Sequence, residues 1–462
     1  MSARTGVAFL GIVLCFALIP PAPGAVPEDA SKTFLLPNGL KVFLAEKHDL
    51  PLVHIAAAVD AGSKDETEAT NGVAHLLEHC LLFRGAGARS AAEVDRDVRR
   101  HGAYFNANTG QDLTVFEMSL PAGGADYALR NLKEILFDFA LTQEALDEEK
   151  AVILEEMGRL DDDPMRHGFD LVLQRLFEGH PYGLPILGRP DVIRGARLEA
   201  LREFHEKYFT ADRTALAVVG DFAAPEMEEK IRTVFGAARK QDAPSAPPAV
   251  ARPLGKTVSF REEKDVKEGY LFIAYVGPAF NDPDRCAMDV LAETLGRGYS
   301  PLLSMALSRS RDLFNRLETS YIPGRRGGAF VVSVALEPDN IGAATREITN
   351  YLKRCREENF SREDFPPGEQ RDQVIDFLGN AKSRIRLSSE QAEESGLVLA
   401  SSVARFLVRN ERENPGRFLD QVGRMSSADL RRTAGAYFGR GQYAVVSIVP
   451  KPGAEGKGKD EK

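Results

Sequence analysis

Residues 71–84 read Asn-Gly-Val-Ala-His-Leu-Leu-Glu-His-Cys-Leu-Leu-Phe-Arg. Val73, Leu76, Leu77, Cys80, Leu81, Leu82 and Phe83 leave almost no polar face, so a helix here is predicted to be buried. Thr70 or Asn71 serves as its N-cap and Gly85 as its stop. Yet the helix carries His75, Glu78 and His79. Imidazoles at i and i+4 project from one face, one above the other. An unpaired carboxylate in apolar surroundings is costly, so these groups need partners. A divalent metal satisfies them together: two imidazole nitrogens bind it and the carboxylate faces it. A histidine pair held by ordinary hydrogen bonds is the plainer reading, and a third protein ligand decides between the two.

A candidate third ligand lies on a longer helix opened by Thr142, with Glu144 in its first turn where the helix dipole favours anions. Leu146, Glu149, Ile153, Glu156 and Leu160 fall on one face, while Asp147, Glu148, Lys150, Glu155 and Arg159 point elsewhere. Two carboxylates therefore sit two turns apart in an apolar stripe. Glu156 or Glu149 can complete a set of two histidines and one glutamate, which is a catalytic zinc set with one position left open. Asp161-Asp162-Asp163-Pro164 then reads as an acidic helix end rather than a calcium loop.

With 462 residues, two or more cores are expected. A net charge of −9 argues against nucleic acid as the main partner. Near the N-terminus, Arg4, an apolar run from Val7 to Ile19 and the stretch Pro20 to Ala25 read as a secretory signal peptide over residues 1–25. An uncleaved anchor is the alternative, although the run is short for a stable membrane span. Export to a periplasmic or extracellular space follows. Cys80, Cys286 and Cys355 are too few and too far apart for a disulfide framework.

Residues 33–46 read as a hairpin around Pro37-Asn38-Gly39, 52–60 as a buried strand and 112–120 as an alternating strand. The charged run Arg261 to Asp265 reads as a solvated connection. Residues 237–255, rich in Ala and Pro, form a linker. It is expected to separate a domain over 30–236 from one over 256–452, and residues 453–462 read as a disordered tail. Leu201-Arg202 stands five residues before Tyr208-Phe209 and a valine-rich strand; Leu430-Arg431 stands at the same spacing before Tyr437-Phe438 and another. The echo predicts a duplicated α+β domain. All eight histidines precede the linker, so one metal site per chain is expected.

These residues carry a resemblance. His75 to His79, HLLEH, matches the inverted zinc motif, and the chain resembles the insulinase/pitrilysin family of zinc metallopeptidases over residues 30–450. Its short members, such as the mitochondrial processing peptidase subunits, are the most similar. Glu149 to Glu156, EKAVILEE, resembles the second motif. The resemblance makes Glu156 the third ligand of one Zn²⁺ and Glu149 a carboxylate supporting the site. His101 to Phe116 resembles the glycine-asparagine segment beside the site, with Asn106 as its substrate-binding asparagine, and His180 to Gly188 resembles a further signature. It implies two homologous α/β-roll domains, each a sheet covered by helices, in a clam-shell arrangement. It also implies an endopeptidase with Glu78 as general base, acting on peptides added to a sheet edge.

One segment departs. The family carries an arginine and a tyrosine in its C-terminal domain; here Ser308 and Asn315 stand in those places, with Arg309 or Arg311 nearby. Short members work in pairs, which implies a zinc-bearing subunit of a heterodimer with a related chain. A non-catalytic peptide-binding or assembly subunit is the alternative, and replacing Glu78 separates the two.

Overall fold

The computed structural model describes residues 31–86, 89–240, 250–298, 301–308, 313–368, 371, 373–409 and 415–452. Residues 1–30, residues 241–249 of the expected linker, Arg309, Arg311 and residues 453–462 lie outside them.

The N-terminal half begins with β1 (Ser31–Leu35), β2 (Lys41–Glu46) and β3 (Leu52–Val59), followed by α1 (Val73–Phe83). The two-residue strands β4 (Gly85–Ala86) and β5 (Arg89–Ser90) lead into α2 (Ala91–Arg100). Next come β6 (Tyr104–Thr109), β7 (Thr114–Pro121), α3 (Ala125–Phe137), α4 (Gln143–Asp162), α5 (Pro164–Leu176) and, after two short helices, β8 (Thr214–Gly220). The sheet runs β1-β2-β8-β3-β7-β6, antiparallel except for β2 against β8. The β6 strand is therefore an edge, and α1 packs against it.

The C-terminal half supplies β9 (Val258–Lys264), β10 (Gly269–Gly277), β11 (Arg316–Ile322), β12 (Gly328–Leu336) and β13 (Ala444–Pro450). Its order is β11-β12-β10-β13-β9, again with one parallel pair, β13 and β9. Strand for strand this repeats β6-β7-β3-β8-β2. The helix Arg285–Gly296 follows β10 as α1 follows β3. The architecture is α+β and duplicated. The run Arg261 to Asp265 is no mere connection: most of it belongs to β9, where alternate residues are half-buried while the rest face solvent.

One face of each sheet is covered by its own half. Leu76, Leu77 and Leu81 of α1 share a core with Ile55, Phe116 and Leu216, and Leu291 and Leu295 share another with Ile273 and Val332. The other faces are covered by exchange. Helix α5 brings Val172 and Leu176 onto Phe272, Ala274 and Val446 of the C-terminal sheet. The helix Gly396–Val408 brings Leu399, Val403 and Val408 onto Ala56, Ala58 and Val115 of the N-terminal sheet. Each fully buried Val or Leu contributes about 1.5–3 kcal/mol. The boundaries drawn at the linker thus divide the sheets and one core of each half, while the two remaining cores mix residues of both halves.

Candidate metal centre

Nine of the eleven residues of α1 are buried, Glu78 and His75 among them. Its start differs from the sequence reading. Gly72, with φ +94°, is the N-cap, and neither Thr70 nor Asn71 caps from its own side chain. The orphan amides of the first turn are met by Glu66 instead, whose Oε2 accepts from Gly72 N at 2.8 Å and whose Oε1 accepts from Ala74 N at 2.8 Å. Asn71 Nδ2 donates to the same carboxylate at 3.0 Å. The helix ends at Phe83, with Arg84 as C-cap.

Helix α4, capped by Thr142 Oγ1 accepting from Ala145 N at 3.2 Å, lies against α1. Leu146, Glu149 and Ile153 are its buried residues. One potential ligand atom from each of His75, His79 and Glu156 lies within 4.8 Å of the others. Among the described residues this is the one group of its kind. In the C-terminal half the helix that takes the place of α1 carries Arg285, Asp289 and Glu293 along one face instead.

His79 sits between two carboxylates: Nδ1 lies 3.1 Å from Glu149 Oε2 and Nε2 lies 3.5 Å from Glu156 Oε2. With Nδ1–H donated to Glu149, Nε2 turns its lone pair towards Glu156. A proton on Nε2 or a metal ion between the two atoms satisfies both. Burial lowers the His79 pKa, but the Glu149 bond and the charges of Glu78, Glu156 and Glu149 outweigh it and hold it raised. His75 is the opposite case. Its Nδ1 is buried without a hydrogen-bond partner. Burial first, then the charges of His79 and Arg166, keeps its pKa well below the usual value, so the ring is neutral. A neutral imidazole, a second held by a carboxylate from behind and a facing carboxylate form a zinc donor set, and the orphaned His75 nitrogen fits it.

Glu78 lies in the same buried patch, and Thr109 Oγ1 donates to its Oε2 at 2.8 Å. Burial pushes its pKa up, against the opposing effects of His79 and Thr109. Such a carboxyl is a stronger base than an exposed one. Glu149 is held from its far side by Arg84, whose Nε meets Oε1 at 2.5 Å.

Asn106 occupies β6 in register with Glu117. By strand alternation it faces away from Phe105, Ala107 and Thr109, so its strand rather than its side chain borders α1. Asn315 donates from Nδ2 to Glu268 Oε2 at 3.0 Å at the start of β11. Ser308 ends the helix Leu302–Ser308. Sequence reasoning passed over Thr109 and Arg84. The signal for Thr109 was a polar residue in a core-facing slot of β6; for Arg84 it was a cation closing an apolar helix.

A duplicated α+β fold with a buried His-x-x-Glu-His helix and a carboxylate from a second helix defines the class of inverted-motif zinc peptidases. The comparisons agree. Residues 41–190 match the model described as insulinase (peptidase family M16), and residues 196–366 match that of the peptidase M16 inactive domain. The chain is 25% identical over 435 residues to a zinc protease of Helicobacter pylori, covering 93% of this chain and 94% of the relative. It is 25% identical over 443 residues to a probable mitochondrial-processing peptidase subunit beta of Schizosaccharomyces pombe, covering 92% of each. A crystal structure of a Helicobacter pylori protease superimposes with a TM-score of 0.79 at 24% identity, over 91% of this chain and 99% of the other. The chain belongs to the insulinase (M16) peptidase family, in its short two-domain form.

Proposed function

We propose that the chain is a zinc-dependent endopeptidase that hydrolyses peptides or unstructured segments, with His75, His79 and Glu156 holding one Zn²⁺ and Glu78 as general base. The observation that carries this is the convergence of those three donors within 4.8 Å on the helix that also presents Glu78. A zinc ion bound there supplies a Lewis acid for the scissile carbonyl and acidifies a water molecule. Glu78 takes the proton of the attacking water at its carboxylate and delivers it to the departing amine. Glu149 keeps His79 in the tautomer that leaves Nε2 free, and Arg84 holds Glu149 from its far side. The burial of Glu78 and His75 keeps bulk water away from that transfer.

The match of residues 196–366 to a model called inactive supports a division of labour, since no histidine lies in the C-terminal half. Ser308 and Asn315, in place of an arginine and a tyrosine, support a further division between chains. The protein is then the zinc-bearing subunit of a heterodimer with a related chain. Relatives named as beta subunits of a processing peptidase agree with that reading. The leader composition supports export, to a periplasmic or extracellular space. Among the described residues no helix is long and apolar enough to cross a membrane.

The test is cleavage of a quenched fluorescent peptide by the chain lacking its leader, alone and with a related subunit. Chelator-sensitive cleavage that disappears in Glu78→Gln is the expected result. Cleavage by the chain alone at the paired rate refutes the heterodimer. Silence in both forms with zinc bound shifts the reading to a peptide-binding subunit.

A further inference from the structure

Thr109 is the last residue of β6 and is only 7% exposed. Its Oγ1 donates to Glu78 Oε2 at 2.8 Å. That hydroxyl is a fixed donor to a carboxylate that is itself 4% exposed. Thr109 Oγ1 also lies 3.4 Å from Thr114 Oγ1, which in turn donates to Ala61 O at 3.0 Å.

The turn that follows Thr109 is clamped from several directions. Ser63 N and Lys64 N donate to Gly110 O and Gln111 O at 3.2 and 2.9 Å. Lys64 Nζ donates to Asp112 O at 2.8 Å, and Tyr182 OH donates to Asp112 Oδ1 at 2.6 Å. The remaining oxygen of Asp112 is taken by the other domain: Arg325 N, in the turn between β11 and β12, donates to Oδ2 at 2.9 Å. The Arg325 guanidinium reaches Asp60 Oδ1 at 2.8 Å, and Arg326 N donates to Tyr182 OH at 3.1 Å. Asp112 is 5% exposed, so the loss of a donor to its carboxylate leaves a buried oxygen unsatisfied.

We propose that Thr109 is a positioning residue for Glu78, and that Asp112, gripped by the β11–β12 turn, holds Thr109 in place. The C-terminal domain thereby completes the general base of the domain that holds His75, His79 and Glu156. This rests on the reading of Glu78 as general base.

The experiment compares the zinc-loaded full chain with Thr109→Val, Thr109→Ser, Asp112→Asn and the Thr109→Val/Asp112→Asn pair, alone or with a related subunit. Valine keeps the shape of threonine and removes its hydroxyl donor. Thr109→Val is expected to lower kcat about 100-fold while KM stays within about threefold. One zinc per chain is retained. Thr109→Ser, which restores the donor, brings kcat back to within about threefold of the parent. The paired variant loses less than the product of the single losses, because both act on one carboxylate. An unchanged kcat in Thr109→Val, a serine variant no better than valine, or a loss confined to KM or zinc content overturns the positioning role. Independent losses from Thr109 and Asp112 overturn the link to the second domain. If the parent chain shows no chelator-sensitive cleavage, the general-base reading fails by itself. Crystal structures of the parent and Thr109→Val then decide: a Glu78 carboxylate turned away from the His75, His79 and Glu156 group supports the positioning role, and an unmoved one refutes it.

Discussion

Glu149 stands behind His79, its Oε2 3.1 Å from the ring Nδ1, while its Oε1 meets Arg84 Nε at 2.5 Å. The three residues form a chain in which a cation fixes a carboxylate and the carboxylate fixes an imidazole. Removing such an outer partner costs about 10–100-fold in metal affinity. Glu149→Gln, which keeps the shape and loses the charge, is expected to weaken zinc binding by that factor without abolishing it. Competition against a chromophoric chelator measures it. An affinity equal to that of the parent would refute the role given to Glu149.

Zinc binds the folded donor set far better than the unfolded chain, so it should stabilise the protein. At a free zinc concentration 1,000 times the Kd the gain is about 4 kcal/mol. A chelator is expected to lower the Tm of the parent, and to leave the Tm of Glu156→Ala nearly unchanged. Equal chelator-induced shifts in both proteins would place the stabilising metal elsewhere.

His205 supplies a pH dependence away from the metal. It is 3% exposed, its Nε2 pairs with Leu136 O at 3.0 Å, and burial, only partly offset by that bond, brings its pKa down to about 4. Below pH 6.5 the unfolded chain gains a proton that the folded one refuses. The stability contributed is therefore full above pH 6.5 and lost as pH falls towards 4, with about 2 kcal/mol gone by pH 5. Urea unfolding at pH 7.5 and pH 5 should show a smaller pH difference in His205→Gln than in the parent. Equal differences would contradict the assignment.

The exchange of helices between the halves is tested by two glycines. A Cβ on Gly168 of α5 would stand 2.1 Å from Phe272 Cε2 of the opposite sheet, whereas one on Gly158 of α4 meets nothing within 4 Å. Gly168→Ala is expected to cost about 1–3 kcal/mol through forced displacement. Gly158→Ala should stabilise by up to about 1 kcal/mol through helix propensity. Differential scanning calorimetry should then move the two Tm values in opposite directions. A stabilised Gly168→Ala would refute the close packing of α5 on the second sheet.

Much of this was legible in the residues because local physics decided it. The apolar wrap of His75 to Phe83 predicted a buried helix, and Thr142 marked a start that the structure keeps. The stripe through Leu146, Glu149 and Ile153 is the buried face of α4. The echo between Tyr208-Phe209 and Tyr437-Phe438 corresponds to two matching sheets. What escaped was non-local. The cap of α1 comes from Glu66, a side chain outside the helix, and no spacing rule reaches it. The charges of β9 concealed a strand because parallel pairing with β13 overrode composition. Thr109 looked like one polar residue in a polar segment until the fold laid it against Glu78.

The central claim is that His75, His79 and Glu156 hold zinc for a hydrolysis in which Glu78 moves the proton. The most direct measurement is zinc content and peptide cleavage on the same preparations of parent and Glu78→Gln, with and without a related subunit. The account predicts one zinc per chain in both proteins. It also predicts a chelator-sensitive cleavage that falls about 10²–10⁴-fold in the variant. A zinc-loaded variant that cleaves at the rate of the parent would contradict it.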